Sequence, residues 1–338
     1  MIKKVILAMT TTSVLFASGL TTEAKNAGLV AIPADKAELM KLIDDKRNPI
    51  TKEKTELGKM LYFEPRLSKS GLISCNTCHN LATGGDDGLA AAVGHKWTSN
   101  PHHLGSPTVY NAVFFDTQFW DGRAADLEEQ AAGPILAAPE MANTEENVVA
   151  VVTSMPEYVQ RFQKAYGRDV KITYKKIADT IGNFERTLVT PSAYDDYLNG
   201  NENALSKAEK AGMKKFIEVG CATCHTGIAL GGSMNMLGVT AKYKYANVGD
   251  FKGDANGMVK VPTLRNITQT APYFHNGQVA TLKEAIVEMG RIQLGTAISD
   301  KDAASIETFL GSLEGRKPNL TYPILPVRTA STPAQNIN

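Results

Sequence analysis

Residues 74–79 read SCNTCH and residues 220–225 read GCATCH. Together they hold every cysteine of the chain: Cys75, Cys78, Cys221 and Cys224. A CxxC pair grips zinc, shuttles a disulfide or anchors a haem. A zinc ribbon sets its two pairs about 15–20 residues apart, and the stretch from Cys78 to Cys221 is far longer than that. A redox dithiol does not need a histidine after its second cysteine, yet His79 and His225 follow at once in both motifs. Covalent haem attachment asks for that residue both times. Each thiol adds to a porphyrin vinyl group to give a thioether. The turn then carries the next imidazole beneath the ring, where a neutral nitrogen binds iron. The spacing predicts two haem c groups, one held by Cys75, Cys78 and His79, the other by Cys221, Cys224 and His225.

The elements around the motifs suit that cargo. The chain has 338 residues, about two ordinary domains, and each motif falls in one half. The expected fold is mainly α, with two cytochrome c-like haem domains packed against each other, long loops and little strand. Their expected limits are residues 25–190 and 191–320, followed by a tail over 321–338. Residues 51–63 place Leu57, Met60 and Leu61 on one helical face. Asn143 stands three before Glu146, and Ser206–Glu209 and Thr281–Glu284 read as capping boxes. Gly220 is placed to end a helix just before Cys221. Helical patterns also run over 174–191, 281–294 and 299–315. The loops 81–107 and 227–276 are long and aperiodic, and long loops are commonly functional; here they would wall the haem sites.

The formal charge is +1, which lacks the basic excess of nucleic-acid binders. Lys3 and Lys4, the apolar run that follows and the small residues ending at Ala24 have the pattern of a cleaved secretory leader over 1–24. No later segment reaches membrane-spanning length. An exported, periplasmic chain is expected, with no membrane span after cleavage.

Two irons need two further ligands. His95, His102, His103 and His275 are free, as are 11 methionines, and the residues alone leave the choice open. Taken together and in order, CNTCHNLATGG, AVGHKW, SPTVYNAVF, QFWDGRAADLEEQ, PEM, GCATCHTG, APYFHNGQV and EMGRIQLG resemble the bacterial di-haem cytochrome c peroxidases over about residues 30–315. The resemblance implies that His95 is the removable distal ligand of the first, low-potential and peroxidatic haem. It implies that Met289 ligates the second, high-potential and electron-accepting haem, in keeping with the higher potential a thioether confers. It implies Glu140 as proton shuttle, Gln130 as hydrogen-bonding partner in the peroxide pocket, and Trp120 as electron bridge between the haems. Arg123 and Arg265 are candidate propionate contacts. A calcium between the domains is implied with backbone carbonyls from Thr270 and Pro272, but Gly105 stands where the family has an asparagine ligand.

The function so implied is reduction of hydrogen peroxide to water with electrons from a small cytochrome c or cupredoxin. Activation would come by reduction of the second haem and release of His95, and the family is homodimeric. The rivals are a plain di-haem electron carrier and a related tryptophan-modifying oxidase; the latter has tyrosine where this chain has Met289.

Overall fold

The structure is a computed structural model and describes residues 11–337; Lys3 and Lys4 of the expected leader lie outside the described residues. Twelve α-helices occur among those residues. They are α1 (Thr11–Asn26), α2 (Lys36–Ile43), α3 (Lys52–Tyr62), α4 (Cys75–Cys78), α5 (Leu127–Leu136), α6 (Glu145–Thr153), α7 (Pro156–Tyr166), α8 (Tyr174–Glu185), α9 (Ala193–Leu198), α10 (Lys207–Glu218), α11 (Leu282–Met289) and α12 (Asp300–Gly311). One antiparallel pair, β1 (Met234–Met236) with β2 (Met258–Lys260), sets Met234 opposite Lys260. No described helix is long and apolar enough to cross a membrane.

Local sequence explains the helix ends. Thr51 accepts the Lys54 N–H ahead of α3, and the Ser206–Glu209 and Thr281–Glu284 boxes open α10 and α11. Gly220 follows α10 at φ +95°, a left-handed turn that glycine adopts without a Cβ penalty. The cap of α6 is Thr144, not Asn143. Thr144 Oγ1 accepts the Asn147 N–H at 3.2 Å, while Asn143 Oδ1 accepts the N–H of Thr144.

Buried apolar side chains gather in two main clusters. One draws on α3 and α5–α8 with the loops between them; the other joins α9–α12 with Ala24 and Leu29. In each, the helix that leads toward the CxxCH motif crosses the last helix of its cluster through a glycine. A Cβ on Gly58 of α3 would stand 2.2 Å from the Thr180 carbonyl oxygen of α8, and one on Gly212 of α10 would stand 2.1 Å from the Ser305 carbonyl oxygen of α12. Helix pairs this close bring each motif hard against its core.

Candidate active site

Each CxxCH motif lines its own cleft. The first cleft includes Cys78 and His79 and the second Cys221, Cys224 and His225. They enclose about 950 and 1150 Å³ of empty space, counting their open mouths.

The motif residues are set by their own backbones. The His79 N–H donates to the Cys75 carbonyl at 2.8 Å and the His225 N–H to that of Cys221 at 3.1 Å. His79 Nδ1 donates to the Pro107 carbonyl at 2.8 Å and His225 Nδ1 to that of Leu230 at 3.1 Å. A carbonyl only accepts, so each Nδ1 carries the proton and each Nε2 keeps its lone pair for a metal. Burial holds both imidazoles neutral, lowering the pKa of His225 to about 4 and that of His79 in the same direction. All four cysteines are free thiols. Burial raises every one of them, Cys78 and Cys221 to about 12. A dithiol catalyst needs a lowered thiolate pKa, so this environment opposes redox shuttling. Paired thiols, a ligand-ready imidazole and a large apolar-walled cleft fit haem c in both places.

The first cleft also gathers Gln130, Glu140 and Arg123. Gln130 comes from α5, whose N-cap Asp126 accepts the Glu129 N–H. Glu140 sits on the turn after α5, held by its N–H to the Ala137 carbonyl. Burial raises the Glu140 carboxyl pKa, and the Arg123 charge offsets part of that rise. Arg123 lies over the Phe119 ring at 3.5 Å and pairs with Asp121 at 2.8 Å, with its side chain 55% exposed.

His95 is placed differently from Gln130 and Glu140. Val93 and Gly94 line the cleft but the His95 ring does not. It is buried with both ring nitrogens unpartnered. Its N–H donates to the Glu140 carbonyl at 2.6 Å, and Lys96 and Trp97 after it both have left-handed backbones, φ +61° and +57°. The loop is therefore strained and bonded directly to the Glu140 turn.

In the second cleft Met289 shares the wall with His225, at the point where α11 gives way to a π-helical turn, Gly290–Leu294. Of the other methionines near β1 and β2, Met236 also reaches this cleft, while Met234 and Met258 do not. Trp120 lines both clefts, its indole N–H donating to the Gly105 carbonyl at 3.0 Å. His275 lines the second cleft and packs edge-on to Trp120 at 6.3 Å.

Arg265 is not where a propionate contact was expected. It is fully buried and lines neither cleft. Its two terminal nitrogens bond the two carboxylate oxygens of Asp195, each at 2.8 Å. Asp195 also accepts the Ile32 and Ser192 N–H groups, so the pair ties three chain segments together.

Two buried ionisable residues in the clefts escaped the sequence reading. Glu185 lines the first cleft with Oε2 unpartnered. It sits at i+4 and i+8 from Ile181 and Ile177, a charge on the apolar stripe of α8, and that was a readable signal. Lys260 lines both clefts at 4% exposure. Nothing in MVKV separates it from an ordinary solvent-facing lysine on a strand.

A family model described as di-haem cytochrome c peroxidase matches residues 52–203. The cytochrome c551 peroxidase of Nitrosomonas europaea is 47% identical over 293 residues, 84% of this chain and 87% of its own length. That of Pseudomonas aeruginosa is 46% identical over 297 residues, covering 84% and 85%. Among solved structures, a MauG-like protein associated with microbial copper homeostasis superposes with a TM-score of 0.70 at 26% identity, covering 80% of this chain and 92% of that one.

Proposed function

The chain belongs to the di-haem cytochrome c peroxidase family, and from that premise we propose that the first cleft reduces hydrogen peroxide while the second receives electrons for it. The observation that carries this division is the company of His79: Gln130, Glu140 and Arg123 converge in the first cleft, whereas the lining of the second holds the amides of Asn235 and Gln293 but no carboxyl group. A plain electron carrier would need no such group.

Cys75 and Cys78 would hold one haem with His79 on its iron, and Cys221 and Cys224 the other with His225 and Met289. When bound, the two haems supply irons that carry electrons and coordinate peroxide. The protein supplies proton handling. Reduction of one peroxide to two waters consumes two electrons and two protons, and a proton must leave the oxygen that binds and reach the oxygen that departs. Glu140, a carboxyl whose pKa burial raises, takes up and returns that proton, and the Gln130 amide orients the peroxide by hydrogen bonding. Trp120 spans the two clefts as the bridge for electrons. The His95 ring lies outside the lining of the first cleft. Its two unpartnered nitrogens are costly to bury, which supports a second resting place on the iron and an exchange between the two.

A division near residue 190 is supported by the change of cluster between Leu188 and Tyr194, although Leu29 before it packs in the second cluster and Leu325 after it against the first. Export by the leader, a periplasmic location, a small cytochrome c or cupredoxin as donor and a homodimer complete the proposal. The structure packs Ala24 in the second cluster, so cleavage there removes part of that contact. Calcium, whose cage takes six to eight oxygens, would find backbone carbonyls at Thr270 and Pro272 but no side-chain oxygen at Gly105, whose carbonyl already accepts the Trp120 indole.

The test is Glu140→Ala in the half-reduced, two-haem protein with a reduced small cytochrome as donor. Haem content should be unchanged and kcat lower by about 10²–10⁴-fold, the span of a lost acid–base group. Absence of peroxide turnover by the wild type with every small donor would leave the electron carrier as the better reading.

A further inference from the structure

Trp120 and Lys260 are the two described residues that line both clefts. Trp120 has an expected role; Lys260 has none. Lys260 ends β2, and its N–H donates to the Trp120 carbonyl at 2.8 Å, so the two side chains are fixed at one junction. The Lys260 side chain runs over the Phe115 ring, with Nζ 4.5 Å from the centroid.

Among the described residues the ammonium makes no ion pair and no hydrogen bond. Asp121 is the carboxylate that acts on it, from beyond bonding range, and Asp121 is itself paired with Arg123 at 2.8 Å. A buried cation without an anion is costly and tends to lose its proton. Burial duly pulls the Lys260 pKa down to about 7; a carboxylate within reach would restore the charge. The site thus lacks one component, an anion, at the point where the two haem clefts meet. Haem c carries two propionate carboxylates at one edge of an otherwise apolar ring. An ammonium with three donors has the capacity to serve one carboxylate from each side.

We propose that Lys260 is a cation shared by the two haems, its ammonium binding a propionate of each where the clefts join and raising the reduction potential of both irons. This rests on the two-haem reading above, but not on peroxide being the substrate. A positive charge nearby favours the reduced, less positive iron. Lys260 would act on both irons through the propionates, and is thus a positioning residue.

Lys260→Gln keeps the length and removes the charge; Lys260→Arg keeps the charge. Both are compared with the wild type, each loaded with two haems, by potentiometric titration. In Lys260→Gln both midpoint potentials should fall, by about tenfold in each reduction equilibrium constant, 59 mV for one electron. In Lys260→Arg both should stay near wild type. Unchanged potentials in Lys260→Gln, a shift in one haem alone, or an equal fall in Lys260→Arg overturns the proposal. If the variants do not retain two haems, a crystal structure of the wild-type holoprotein decides. Nζ within hydrogen-bond distance of a propionate oxygen on each haem supports the role, and its absence from either overturns it. A wild type that turns over no peroxide, with both potentials still falling in Lys260→Gln, sinks the peroxidase reading and leaves this one standing.

Discussion

Glu185 shows how much one residue's chemistry depends on its surroundings. Burial, helped by the neighbouring Glu128 charge, raises its pKa from 4.5 to about 8. The unfolded chain releases this proton near pH 4.5, whereas the folded chain keeps it to about pH 8. Between those values the folded state binds the extra proton, so the contribution of Glu185 to stability is full below pH 4.5 and is lost as pH rises through 8. Glu185→Gln, which cannot ionise, should therefore gain on the wild type as pH rises. The difference in Tm between variant and wild type should be larger at pH 8 than at pH 5; a difference constant across that range would remove the buried-carboxyl account. The roles expected of Gln130 and Glu140 are implied by the family resemblance of the motifs, and the structure brings both residues into the His79 cleft. What motifs do not carry is environment. The raised carboxyl of Glu140 and the unpartnered nitrogens of His95 follow from contacts between segments more than forty positions apart, such as the His95 N–H on the Glu140 carbonyl.

Helix starts were readable because a cap is a local transaction: Ser206, Thr281 and Ser299 each bond an N–H three residues on. Helix ends were less so. The helical pattern over 174–191 continues past Glu185, but α8 stops there. Asn111 draws the next residues away, its N–H on the Leu188 carbonyl at 2.9 Å and its Oδ1 accepting the Thr190 N–H at 2.9 Å. Likewise the pattern over 281–294 reads as one helix, while the structure changes to a π turn after Met289. Gly290 there lies so near Ile298 that a Cβ would meet its Cγ1 at 2.6 Å. The two glycine crossings give these elements a testable consequence. In Gly212→Ala the methyl must displace α12 from α10, an overpacking cost of about 1–3 kcal/mol. Because α10 leads straight into Cys221, the second haem's spectrum should change while the first haem's is kept. Gly58→Ala, which pushes α3 off Thr180 and Phe184, should do the reverse. Denaturant midpoints read the cost and visible spectra read which haem responds; equal disturbance of both haems by either variant would refute independent helix–haem units.

At the scale of the molecule, two CxxCH motifs foretold two clefts, but not that the clefts touch. That junction depends on a backbone bond from Lys260 to Trp120, across residues that no local pattern links. The tail was equally opaque. Residues 321–338 follow the second half in the chain and read only as a tail, yet they lie along the first. The Tyr322 ring meets Phe63 edge-on at 4.6 Å, and Arg66 donates to the Pro326 carbonyl at 2.8 Å. Leu320 and Leu325 pack against the first cluster. Further on, the Asn336 N–H donates to the Lys69 carbonyl at 2.9 Å, and the Lys69 N–H in turn donates to the Met141 carbonyl at 2.9 Å, one residue beyond Glu140. A strap from the second half thus ends two hydrogen bonds from the backbone of Met141, the residue after the Glu140 proposed to move protons in the first. Deleting residues 321–338 should leave the second cleft as it is and loosen the turn that holds Glu140. Hydrogen exchange checks this: the Lys69 amide should exchange roughly tenfold faster, the equivalent of about one hydrogen bond, while the amides of α10 and α12 keep their rates. If Lys69 is as protected in the shortened chain as in the full one, the tail lies on the first half without holding it.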